Sequence, residues 1–217
     1  KQPDQCAGIG SAYLDLDVSS EEVQTTFREM IAAGVGMTST LAVYENFVVG
    51  RPPVEERALE MLAPEIAAAV KAENDRYVNA PEGANIGFPP EMFQKALEYE
   101  AAFVRAGGTL AAGVDPTGYG AALPGFGDQR NFELLREADF TPQQVVQIMS
   151  ANGAKLLDIY DETGSIEVGK LAELVLLEGD LAADPAVIKN VTIVFKDGVG
   201  YDSPALLESI KGQVGIH

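Results

Sequence analysis

Histidine is nearly missing from this sequence: the single one, His217, is the last residue, and tryptophan is absent. A self-contained zinc site usually draws on His or Cys ligands. The only other candidate of that kind is Cys6, so the chain alone is expected to hold no zinc of ordinary tetrahedral geometry. One cysteine also excludes an internal disulfide framework, and it leaves the redox compartment open. No apolar run approaches the roughly 18 residues that would span a bilayer, and Lys1 to Gly10 lacks the apolar stretch of a signal peptide. Bases are scarce too, with 15 Lys and Arg against 33 Asp and Glu and a net charge of -18. Such a field repels phosphate backbones and anionic lipid, so neither nucleic acid nor membrane is an expected partner. The first residue is Lys, not Met, from which upstream sequence is expected. Localisation, cytoplasmic or exported, depends on that upstream part.

What is present suits a soluble globular protein: 47% of residues are apolar and 22% charged. The opening to about Leu16 reads as an extended or loop segment. Ser19 or Ser20, then Glu21 and Glu22, precede Val23, Phe27, Met30 and Ile31 at helical spacing, and Gly34 serves as C-cap. Val35 to Tyr44 is uncharged and rich in β formers, as in a strand buried on both faces. A long helical stretch follows Pro52 and Pro53, with Pro64 as a break or restart, and a second helix starts after Pro89 and Pro90 and keeps its period up to the Gly107-Gly108 stop.

Thr109 to Val114 then reads as a short strand, with Asp115 at its carboxyl end and Pro116, Thr117 and Gly118 turning the chain away. The glycine-rich loop to Gly127 is of the long kind that usually carries function. Gln129 to Ala138 is a helix, and Thr141, Pro142 and Gln144 form a capping box for the next. Near Gly164 the period changes. Ala172 to Leu177 and Val191 to Phe195 read as strands, Asp197-Gly198 as a hairpin turn, and Tyr201 to Val214 closes with a short helix.

Strands alternating with helices from Val35 to Ala151 imply parallel βα units, and (β/α)8 barrels place catalytic groups at the carboxyl ends of strands. Only two such units fit here, whereas a closed barrel needs eight strands. The expected fold is therefore α/β: residues 1–163 as the C-terminal part of a (β/α)8 TIM barrel, and residues 164–217 as part of a small β-sandwich domain with a closing helix. The apolar strands would present open edges unless missing N-terminal barrel sequence covers them or copies self-associate into an oligomer.

Four stretches resemble the metal-dependent amidohydrolases, in particular their imidazolonepropionase-like and prolidase-like members. Gly113-Val114-Asp115-Pro116-Thr117-Gly118 looks like that family's eighth barrel strand with its metal-site aspartate, and Phe132 to Ala138 with Thr141-Pro142 like the helical pair after it. Ala151-Asn152-Gly153-Ala154 with Leu156-Leu157 fits the end of that region. Gly164 to Leu177, reading GSIEVGKLAELVLL, is close to the re-entry into the small domain and is the most specific of the four. Val35 to Tyr44 stands in the place of the seventh strand. The family's His-x-His, its bridging lysine and its later histidines have no counterpart, so the sequence looks truncated, not mutated.

The resemblance implies hydrolysis of carbon-nitrogen bonds in a small amide or dipeptide-like substrate. Zinc or another divalent metal would activate the water, with Asp115 as a metal ligand and proton shuttle. An ordinary Asx-turn acid is the competing reading of Asp115. Thr40, Tyr44, Thr117 and Tyr119 are candidate substrate contacts at the same barrel mouth, with plain packing as their alternative. Acidic runs such as Glu55-Glu56 and Asp161-Glu162 read as solvated faces. A non-catalytic remnant serving as a scaffold or partner-binding module is the alternative function.

Overall fold

Ser20 caps the first helix, α1 (Glu21–Ala32), by accepting the amide of Val23 on its hydroxyl, and Gly34 follows in the left-handed region at φ 68°. The computed structural model describes residues 14–81, 84 and 86–215. Lys1 to Tyr13, with Cys6, and His217 lie outside the described residues. After α1 come β1 (Met37–Ser39), α2 (Leu41–Glu45), α3 (Glu56–Leu59), α4 (Pro64–Val78) and α5 (Pro90–Arg105). Pro64 and Pro90 each stand in the first turn, where a missing N–H costs no helical bond. Then follow β2 (Leu110–Ala112), α6 (Phe126–Glu137), α7 (Pro142–Gln147), a π-turn at Ile148–Asn152 and α8 (Gly153–Leu156). The chain ends in β3 (Leu174–Leu177), a 3-10 turn at Pro185–Lys189, β4 (Val191–Lys196), β5 (Val199–Asp202) and α9 (Ser203–Ile210).

The architecture is mixed α/β with the two kinds of sheet kept apart. β1 and β2 pair in parallel, Met37 opposite Leu110 and Ser39 opposite Ala112. The later sheet is antiparallel in the order β3-β4-β5, with Leu174 opposite Phe195 and Lys196 opposite Val199. Its hairpin turns on Asp197 at φ 50° and Gly198 at φ 78°, two left-handed residues as a type I′ turn requires.

The strand expected over Val35 to Tyr44 stops at Ser39, and the chain re-forms as helix α2. The cause lies far away in sequence. The Oδ1 of Asn131 on α6 accepts the Ala42 amide at 3.1 Å, supplying the acceptor that Thr40, the N-cap residue, does not offer through its own side chain. Helix α6 likewise begins at Phe126, ahead of the expected Gln129, because the Asp128 carboxylate accepts the Gly125 amide at 2.9 Å.

The main core gathers Leu41 and Val48 from the first βα unit, Phe93 and Leu97 from α5, Leu110 from β2, and Phe132, Leu134 and Leu135 from α6. A second cluster sets Phe27 edge-on to Tyr99 and Phe103, with ring centroids 5.0 and 5.3 Å away. A third joins Leu59, Leu62, Val70 and Leu123, against which the returning chain lays Val214. Val214 exchanges backbone bonds with Met61 and Ala63, both at 2.9 Å. No helix among the described residues is long and apolar enough to cross a membrane.

Candidate functional site

Both parallel strands deliver their carboxyl ends to the same side. The ladder runs one rung beyond β2, the Gly113 amide donating to the Ser39 carbonyl at 3.0 Å. Two residues on, Asp115 adopts φ 45°, and its carbonyl accepts the Thr117 amide at 2.6 Å around Pro116. Asp and Asn tolerate this left-handed conformation better than other side chains. The result is a tight turn that leaves Asp115 and Thr117 exposed. Gly127 keeps the base of this turn tight, since a Cβ there would stand 2.2 Å from the Val114 side chain. Helix α6 thus begins against the strand exit that presents Asp115.

The other candidates separate. Thr40 is half-buried at the β1–α2 corner, on the same end of the sheet as Asp115, and its carbonyl accepts the Val43 amide at 3.1 Å. Tyr44 is not on a strand: it rides on α2 against the main core, its ring 6.0 Å from that of Phe88. Tyr119 donates its hydroxyl to the Asn46 carbonyl at 2.7 Å and accepts from the Asn74 side chain at 3.0 Å. Its ring lies edge-on to Phe47 and stacked on Tyr77, and burial pushes its phenol up to about 12. That hydroxyl is committed to tying loops together.

The sequence reading missed an ion-pair network beside this end of the sheet. Glu45, at the end of α2 and almost fully buried, accepts from the Arg130 Nε at 2.7 Å and Nη2 at 2.8 Å, and from the Arg51 Nε at 2.7 Å. Arg130 also meets Glu133 at 2.8 Å, and Arg51 meets Glu137 at 2.7 Å. Lys189, on the 3-10 turn of the C-terminal segment, reaches Glu133 at 2.7 Å and also Glu55. Burial alone would discharge Arg130, but the bonds to Glu45 and Glu133 outweigh it and raise its pKa. The network floors a cleft of about 200 Å³ walled by Pro52, Pro53, Ala122 and Phe126. Glu55 is therefore no free solvated charge, as the acidic run had suggested: it is half-buried between Lys189 and Arg57. Arg130 standing three residues before Glu133 on α6 was the available signal.

Among the described residues no group of three or more His, Cys, Asp or Glu side chains is placed to hold a metal ion. Asp115 offers one carboxylate, and the residues described do not complete the metal centre that the resemblance implies.

Against known proteins, one segment finds a family match: it starts two residues into α6 and ends at Gly200 on β5. Residues 128–200 match the amidohydrolase family. The fold of this amidohydrolase-like chain is similar to that of a prolidase solved with N-methylphosphonate-L-proline, at 20% identity and a TM-score of 0.53, covering 82% of this chain and 38% of the prolidase. An ochratoxinase from A. niger is similar at 22% identity and a TM-score of 0.51, over 87% of this chain and 36% of its own. The chain thus spans well under half the length of these structures, and at such identities the likeness is one of fold. No curated protein sequence matches the chain.

Proposed function

We propose that the chain is the C-terminal portion of an amidohydrolase that cleaves carbon-nitrogen bonds in small amide or dipeptide-like substrates. In this reading residues 1–163 carry the last βα units of a (β/α)8 barrel and residues 164–217 part of the small β domain. The observation that carries it is the position of Asp115: an exposed carboxylate presented from the carboxyl end of a parallel strand by a left-handed turn, followed by the segment that matches the amidohydrolases. That is where barrel enzymes put their reacting groups.

Asp115 takes the proton of the attacking water and returns it to the leaving amine, a role that needs a carboxylate free of competing partners. Its side chain makes no hydrogen bond or ion pair with the other described residues. Thr117 and Thr40 lie at the same end and contact the substrate, while Tyr44 packs on the core and Tyr119 holds the neighbouring loops together. The divalent metal of the complete enzyme, zinc or another, would take its remaining ligands from outside the described residues. An N-terminal barrel portion, or a second copy of this chain, covers the open edges of β1 and β2.

The test is Asp115→Asn in the complete enzyme, assayed on a panel of N-acyl amino acids and Xaa-Pro dipeptides. Asn keeps the left-handed turn and removes the proton acceptor, so folding should survive while turnover falls by about 100 to 10,000-fold. Near-normal turnover on a substrate that the parent hydrolyses would reduce Asp115 to a turn residue.

A further inference from the structure

Five polar or charged side chains are buried among the described residues: Ser39, Glu45, Asn74, Glu100 and Asn131. Glu45 is held by two arginines, and Asn74 bonds the Val54 amide and the Tyr119 hydroxyl. Asn131 spans the β1–α2 corner, accepting from the Ala42 amide and donating to the Ser39 carbonyl at 3.4 Å and hydroxyl at 3.5 Å. Glu100 is different. It stands in the middle of α5 and is 9% exposed, and its Oε2 is enclosed without a partner among the described residues. Buried Ala96, Leu97 and Phe103 lie one turn away on either side along the helix.

An enclosed carboxylate oxygen with no donor is costly, whereas a neutral carboxyl is tolerated. Burial accordingly pushes Glu100 up to about 7, against a smaller opposing pull from the Ser39 hydroxyl. The side chain that meets it from β1, Ser39, is uncharged and is itself bonded by the uncharged Asn131 of α6, and Tyr99 beside it on α5 has its own phenol raised by burial. No charged group of the described residues contributes to its shift.

We propose that Glu100 is a proton switch for the corner Ser39–Ala42. As the neutral acid it completes a polar seam with Ser39 and Asn131 behind β1. As the carboxylate it places an unpaired charge in that seam, so the packing of α5 on β1 loosens, and with it the last rung of the parallel ladder and the turn that carries Thr40. The inference stands on this buried cluster and is independent of the catalytic reading.

Two amides report directly on the corner: Ala42, bonded to Asn131, and Gly113, bonded to the Ser39 carbonyl. The experiment is a side-chain carboxyl titration of the chain by carbon-detected NMR, with Glu100 assigned through bonds from the α5 backbone. Alongside it, hydrogen exchange at Ala42 and Gly113 is followed from pH 5.5 to 8 in the parent and in Glu100→Gln. Glu100 should titrate far above the other carboxyls. Once the intrinsic pH dependence of exchange is divided out, both amides should lose roughly tenfold protection across that range in the parent and none in Glu100→Gln. A Glu100 midpoint in the ordinary carboxylate range overturns the proposal even if Glu100→Gln does not fold, and so does an equal loss of protection in the two proteins.

Discussion

The two sheets of this chain are built from similar residues and end in opposite environments. Leu110 on β2 is 0% exposed, whereas Val175 on β3 is 59% exposed and every residue of β5 is exposed. The difference is not in the strands. α5 and α6 lay Phe93, Leu97, Phe132 and Leu135 over the parallel pair, while among the described residues the antiparallel sheet gains little more than α9, which itself buries nothing. A strand's apolar character thus states a demand for cover, and the rest of the fold decides whether that demand is met.

Activity offers the widest test of this contrast, because each sheet carries an aspartate in the left-handed region. Asp115→Asn should cost the complete enzyme about 100 to 10,000-fold in turnover, whereas Asp197→Asn in the hairpin turn should leave turnover within about twofold. Steady-state rates of the two variants decide it. Core truncation comes next. Phe103→Ala should destabilise by about 3–5 kcal/mol and Val175→Ala by less than about 0.5, read from denaturant midpoints at unchanged slope.

Glu100 sets a smaller effect with a definite sign. Its folded pKa of about 7 lies above the ordinary value of 4.5, so below about pH 4.5 its carboxyl is protonated in both states and its contribution is fully present. That contribution is lost as pH rises towards and through 7, by about 2–4 kcal/mol, and Glu100→Gln should flatten this slope. Unfolding at a series of pH values checks it. Smallest is Thr141→Ala, which removes the hydroxyl that accepts the Gln144 amide at 3.3 Å and should cost about 1 kcal/mol.

The last of these residues shows what could be read in advance. Ser20 and Thr141 bond to amides three residues away, Pro64 and Pro90 open helices, and Asp197-Gly198 turns a hairpin, all from local chemistry. The turn that exposes Asp115 is local in the same way. What stayed hidden is non-local. Leu41 to Glu45 has the composition of a strand, and it is helical under an amide acceptor 89 residues away. Glu55 reads as a surface acid, and its partner Lys189 is 134 residues on. Tyr44 and Tyr119 could be nominated as aromatic residues near a mouth, but the direction of a side chain depends on loops that no single segment specifies.

The ion-pair network has a further effect, on how the molecule looks from outside. Arg51, Arg57, Arg130 and Lys189 are neutralised close to the cleft, and Lys71, Arg76, Lys196 and Lys211 are matched to neighbouring acids. Most of the chain's small stock of positive charge is therefore spent at short range, and the net charge of -18 is carried by acids that have no counterpart. At distances beyond a few ångströms the protein is a polyanion. The paired charges near the cleft are too close and too sheltered for salt to weaken much, whereas repulsion among the surplus acids is long-ranged and readily screened. Added salt should accordingly make this fold harder to unfold, the reverse of what a count of its ion pairs suggests.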